Sequence, residues 1–90
     1  MSVEAGSSKV TVRYFAGARA AAGVPEDVMD VPGGATVADV LQAAVRERGE
    51  RLGQVLGACS FLLDGVAVRD RSIVVTDGGQ LDVLPPFAGG

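Results

Sequence analysis

The chain has 90 residues, 48% of them apolar, with 13 glycines, 4 prolines and a formal net charge of −3. That is one globular domain able to bury roughly 65% of its unfolded surface, with no room for a second. No cluster of Lys and Arg is present to hold a phosphate backbone, no histidine to serve as general base or metal ligand, and the single cysteine makes no internal disulfide.

No stretch approaches the ~18 apolar residues of a membrane span. Met1 to Ser8 lacks the charged start and apolar run of a leader, so the expected location is cytoplasmic. Residues 1–8 are small and polar and are expected to form a flexible tail. Lys9 to Phe15 alternates as a half-buried strand does, with Val10, Val12 and Tyr14 inward and Thr11, Arg13 and Phe15 outward. Ala16 to Ala22 reads as a short helix stopped by Gly23. Glu26 to Val31 reads as a second strand carried by Val28 and, more weakly, Met29 and Val31.

Pro32-Gly33-Gly34 is a turn. Thr36 to Arg48 has the clearest helical pattern: Thr36 as cap, Asp39 three residues on, and Val37, Val40, Leu41, Ala44 and Val45 in one stripe. Arg46, Glu47 and Arg48 are expected to form a solvated end, and Gly49 a stop. Glu50 to Gly57 reads as irregular with a short helical turn. Asp64-Gly65 between Ser60–Leu63 and Val66–Val68 signals a hairpin. A loop or short strand with Ile73, Val74 and Val75 follows, then an Asp77-Gly78-Gly79 turn. The last strand is Gln80 to Leu84, with Leu81 and Val83 on one face and Asp82 and Leu84 on the other. One helix crossing one sheet buries both apolar faces. The order fits an α+β β-grasp roll over residues 9–84. Its mixed sheet of four to five strands would be crossed by one main helix, with the first and last strands parallel at the centre.

Residues 85–90, Pro85-Pro86-Phe87-Ala88-Gly89-Gly90, form the chemically distinctive segment. Consecutive prolines favour an extended path. The five residues from Pro86 can reach about 16 Å beyond the sheet. Gly89 and Gly90 lack side chains, so the tail can enter a channel too narrow for any Cβ. Its terminal carboxylate is a poor electrophile. Adenylation by ATP would make it a mixed anhydride that sulfur can attack, giving a thiocarboxylate whose sulfur is transferable.

At this tail the chain resembles the MoaD-type ubiquitin-like sulfur carriers of the MoaD/ThiS family, including the small subunit of molybdopterin synthase. The similarity also shows at Val12-Arg13-Tyr14-Phe15-Ala16-Gly17-Ala18-Arg19, at Gly34-Ala35-Thr36-Val37-Ala38-Asp39-Val40-Leu41 and at Leu63-Asp64-Gly65. The resemblance implies a β-grasp fold and a role in molybdenum cofactor biosynthesis. It implies adenylation of Gly90 by a MoeB-type E1-like adenylyltransferase, thiocarboxylation, and insertion of the tail into a MoaE-type large subunit in a heterotetramer. It further implies a carrier that is not an enzyme alone and holds no cofactor, the ATP and Mg²⁺ belonging to the activating partner. Partner-binding positions implied are Phe15, Arg19, Leu84, Pro85, Pro86, Phe87 and Ala88, with Gly89 and Gly90 as the reactive end. The family's acidic turn before the last strand is replaced here by Asp77-Gly78-Gly79-Gln80, and Phe87 stands where smaller residues occur in some relatives.

Other readings stand beside this one. Similar tails serve thiamine, cysteine and tRNA-thiolation pathways, or act as tags conjugated to lysines; a plain interaction module with an inert tail is the blandest alternative. Cys59 is read as core rather than as a sulfur handler. Phe15 and Leu84 are read as interface rather than simple rim, and Arg19 equally as a binding residue or one half of a surface ion pair.

Overall fold

The computed structural model describes residues 6–86. In chain order the elements are β1 (Ser7–Tyr14), α1 (Ala16–Ala22), β2 (Glu26–Pro32), α2 (Val37–Arg48), α3 (Glu50–Leu56), β3 (Ser60–Leu63), β4 (Val66–Ala67) and β5 (Gln80–Leu84). The strands make one sheet ordered β2-β1-β5-β3-β4. β1 and β5 pair in parallel at its middle, and every other pair is antiparallel. This is the expected α+β β-grasp architecture, with α2 as the main helix, α3 packed against it and α1 packed against α3.

The inward phase of β1 runs Ser8, Val10, Val12 and Tyr14, all buried. The strand therefore begins two residues before the apolar alternation signals it: Ser8 continues the inward phase and Ser7 pairs with Pro32. Leu81 and Val83 on β5 and Val37, Val40, Leu41 and Ala44 on α2 complete the centre of the core. Burying each fully enclosed Val or Leu side chain contributes roughly 1.5–3 kcal/mol.

β2 departs from expectation in phase. The register sets Met29 opposite Val10 and Val31 opposite Ser8, so these two face the core, whereas Val28 pairs with Thr11 on the outer face and is 60% exposed. The same phase turns Asp27 inward, opposite Val12. An inward charge on an edge strand discourages edge-to-edge pairing, but it needs a partner. Arg48 supplies it. The expected solvated end of α2 is instead bent back: Arg48 Nε donates to Asp27 Oδ2 at 2.9 Å and Nη2 pairs with Oδ1. Tyr14 Oη donates to Oδ2 as well, at 2.9 Å. The Arg48 hydrogen bonds hold the Asp27 carboxyl below the usual range. Burial, then the bond to Asp27, pushes the Tyr14 phenol far above its ordinary value.

The start of α2 is a full capping box. Asp39 N donates to Thr36 Oγ1 at 3.2 Å, and Thr36 N donates to Asp39 Oδ2 at 2.9 Å. Glu50–Leu56, expected to be mostly irregular, is the helix α3, which buries Leu52 and Leu56 one turn apart. Asp64 and Gly65 both adopt left-handed backbone (φ 50° and 83°), as a tight Asp-Gly hairpin requires. The Ile73–Val75 segment forms only a bridge between Val74 and Thr36; Val75 is buried, while Ile73 and Val74 are exposed.

Candidate functional site

β5 lies between β1 and β3, so the residues after Leu84 leave from the middle of the sheet. Several backbone ties hold the two ends of this strand. At its start, Asp64 N donates to Gln80 O and Gln80 N to Asp64 Oδ1, both at 2.8 Å. The preceding turn is tied to β1, because Lys9 N donates to Asp77 Oδ1 and Gly78 N to Lys9 O, again at 2.8 Å. At its end, Phe15 N donates to Val83 O at 3.0 Å. The Asp77 turn thus serves as a structural clamp through its carboxylate.

Strand alternation places two rows of outer-face residues beside the exit. Extending the parallel register from Tyr14–Val83 sets Phe15 next to Leu84, and Ser60 pairs with Leu84 on the far side. Below them Arg13 pairs with Asp82, and Asp82 with Leu62. Phe15, Leu62 and Leu84 are all half-buried. Leu84 lies on the outward face as expected, but it is half-buried rather than exposed. Arg13 spans the two rows, with Nε donating to Asp82 Oδ1 at 3.0 Å and the guanidinium 5.4 Å from the Phe15 ring centroid. Asp82 has only 12% of its side chain exposed, so Arg13 also supplies the partner that a nearly buried carboxylate needs. Further from the exit the face becomes charged, with a solvated Lys9–Asp30 pair. The Phe15–Leu62–Leu84 patch thus lies at the end from which the tail departs, and Val28, exposed on the same face, stands apart from it on the edge strand β2.

Phe15 is fixed by more than its strand. It is the N-cap residue of α1, in extended conformation, and its carbonyl accepts from Ala18 N at 3.1 Å. Arg19 follows in α1, exposed and without an ion pair among the described residues. Pro85 and Pro86 are exposed directly beyond the patch. Phe87, Ala88, Gly89 and Gly90 lie outside the described residues. Leu62 is the patch residue that sequence reasoning missed. It sits in Ser60-Phe61-Leu62-Leu63, where both faces are apolar and the alternation is hidden; its pairing opposite Asp82 reveals its side of the sheet.

Cys59 is a half-buried free thiol packed against the core, with Sγ donating to Val55 O at 3.2 Å. Burial pushes its thiol pKa up. Among the described residues no group of three or more Cys, Asp or Glu is placed to hold a metal ion, and no helix is long and apolar enough to cross a membrane.

The model of the ThiS family matches residues 12–90. The molybdopterin synthase sulfur carrier subunit of Chlamydomonas reinhardtii is 32% identical over 83 residues, covering 91% of this chain and 99% of that protein. Among solved structures, small archaeal modifier protein 1 from Methanosarcina acetivorans superposes with a TM-score of 0.78 at 26% identity, covering 93% of this chain and 98% of that one. A chain from the Helicobacter pylori complex of subunits 1 and 2 of molybdopterin-converting factor gives 0.60 at 26% identity, covering 91% and 99%. The family match spans the inner strands, the exit patch and the terminal glycines together, and so the chain belongs to the ThiS family of ubiquitin-like β-grasp proteins.

Proposed function

We propose that this protein is a sulfur carrier for molybdopterin synthesis, and that its working group is the carboxylate of Gly90. The observation that carries the reading is the joint placement of an apolar patch and a chain exit. Phe15, Leu62 and Leu84 surround the point where the central strand runs into Pro85-Pro86 and, in sequence, on to Gly89-Gly90. A partner that docks on the patch receives the tail in a fixed direction. The rigid sheet supplies recognition and the side-chain-free end supplies access.

In the chemistry proposed, the Gly90 carboxylate attacks the α-phosphorus of ATP inside an E1-like adenylyltransferase of the MoeB type, releasing pyrophosphate. A sulfur nucleophile then displaces AMP from the acyl-adenylate. The thiocarboxylate so formed would be carried into a MoaE-type large subunit, with Pro85, Pro86, Phe87 and Ala88 as the tail residues that the partner's channel contacts. Likeness to the Helicobacter pylori subunit, solved in complex with a second subunit, supports a partner of this kind. Arg19, on α1 near the same end of the sheet and without an ion pair among the described residues, is assigned to the rim of that contact.

Intact-mass analysis tests the reading. After incubation with the adenylyltransferase, ATP-Mg²⁺ and a sulfur donor, the chain should gain the mass difference between sulfur and oxygen. A chain lacking Gly90 should gain nothing while keeping its dispersed amide spectrum; loading of that truncated chain would refute the role of Gly90. Likeness to a small archaeal modifier protein favours a second use of the same adenylate, an amide bond to lysines of other proteins. Higher-mass adducts in cell extract that vanish on deletion of Gly89-Gly90 would establish that use.

A further inference from the structure

A second surface lies on the opposite side of the molecule, where the helices cover the sheet. Between α2 and α3 runs an open groove of about 450 Å³ whose floor is Leu41, Val45 and Leu56. Gly53 keeps it open: a Cβ there would stand 3.3 Å from Val45 Cγ1. Arg46 and Arg71 rise at its rims, and both are exposed. Neither makes an ion pair among the described residues. Of the nearby carboxylates, Asp39 is bonded to the Thr36 cap and Asp70 to Ser72, whose N and Oγ donate to it at 2.9 and 2.7 Å, while the exposed Glu47 and Glu50 make no ion pair with either arginine.

Arg71 is held in place. Its carbonyl accepts from Ala38 N at 2.9 Å, and its guanidinium lies 4.7 Å from the Phe61 ring centroid. A cation positioned this way loses little freedom when it meets an anion. The chain as a whole carries a net charge of −3, so an acidic partner is repelled in general and attracted here. An apolar floor between two uncompensated arginines matches one chemistry: a short amphipathic helix with an apolar stripe and acidic flanks.

We propose that the α2–α3 groove docks an acidic amphipathic segment of a partner protein. The site does not use the tail or the outer sheet face. A protein bound there leaves the outer-face patch and the chain exit at Pro85-Pro86 uncovered, so the carrier can be tethered while its outer face engages another partner.

The probe is a labelled peptide with Leu at i, i+3, i+4 and i+7 and Glu at the flanking positions, titrated into the isotope-labelled full chain. Saturable amide shifts are expected at Gln42, Gly53 and Gly57, with Phe15, Leu62 and Leu84 unmoved. A Lys-for-Glu peptide and a Ser-for-Leu peptide should each bind at least ~10-fold more weakly, since both charge and apolar anchor are required. The R46E/R71E chain should lose the Glu peptide and gain the Lys peptide. Equal binding of Glu and Lys peptides, shifts centred on the outer face, or no saturation by ~1 mM would each overturn the proposal. Concentration-dependent shifts of Gly53 and Gly57 without peptide would assign the groove to a second copy of the chain and overturn it likewise.

Discussion

Asp27→Asn removes the charge at the centre of the Tyr14–Asp27–Arg48 network while keeping the side chain's shape. Asp27 is 9% exposed and accepts from three donors. Breaking a fully buried pair costs about 3–5 kcal/mol. Arg48, however, is 29% exposed and can turn toward water, and the asparagine oxygen still accepts one bond. Hydrogen bonds to charged groups are worth about 1.5–3 kcal/mol, so the expected loss is ~2 kcal/mol, or a fall in Tm of about 8–16 °C for a domain of this size. The loss must also depend on pH. The folded carboxyl titrates below its ordinary value of 3.8, so its stabilisation is complete above that pH and is lost as the pH falls through the depressed value. Thermal melts of both chains between pH ~7 and ~3 isolate the effect, because other carboxylates titrate equally in each. Equal Tm values at neutral pH, or a gap that stays constant into acid, would refute the reasoning. The network has functional bearing, since Tyr14 immediately precedes Phe15 and fixes the end of β1 at which that ring emerges.

Leu84→Asp should lower Tm only modestly, since burying half a leucine is worth about 1 kcal/mol, but should weaken binding to the large-subunit partner at least ~10-fold by calorimetry. A collapse in Tm would place Leu84 in the core and remove it from the patch. Gly79→Ala sets a Cβ 2.9 Å from the Thr76 carbonyl oxygen, so the turn before β5 must shift. A cost of about 1–3 kcal/mol in urea unfolding is expected, and an unchanged midpoint would show that the turn yields freely. Cys59 should react with an aromatic disulfide reagent more slowly than free cysteine at neutral pH, because burial raises its pKa, and Cys59→Ser should load sulfur on Gly90 as the parent does. Loss of loading in that variant would make the thiol part of the relay.

The strands, the main helix and the hairpin were legible because each signal is local. The β1 alternation, the Thr36–Asp39 capping box and the left-handed Asp64-Gly65 pair need only neighbours in sequence. α3 was under-read because Gly49, Gly53 and Gly57 dilute its propensity; Leu52 and Leu56, one turn apart, were the available signal. The inward turn of Asp27 was not legible, because with Val28, Met29 and Val31 the strand offers apolar residues in both phases.

Sequence alone determined the order of the strands and the main helix, the outward phase of Phe15 and Leu84 and the side-chain-free end, all of which depend on residue type and short-range periodicity. The tertiary structure decided what meets across strands. Parallel pairing brings Phe15, from the start of the chain, beside Leu84 near its end, and antiparallel pairing adds Leu62 to the same patch. It also converts the expected solvated Arg48 into the partner of a buried carboxylate. Such contacts join residues tens of positions apart, and register, which is set by the whole sheet closing on one core, is what selects them.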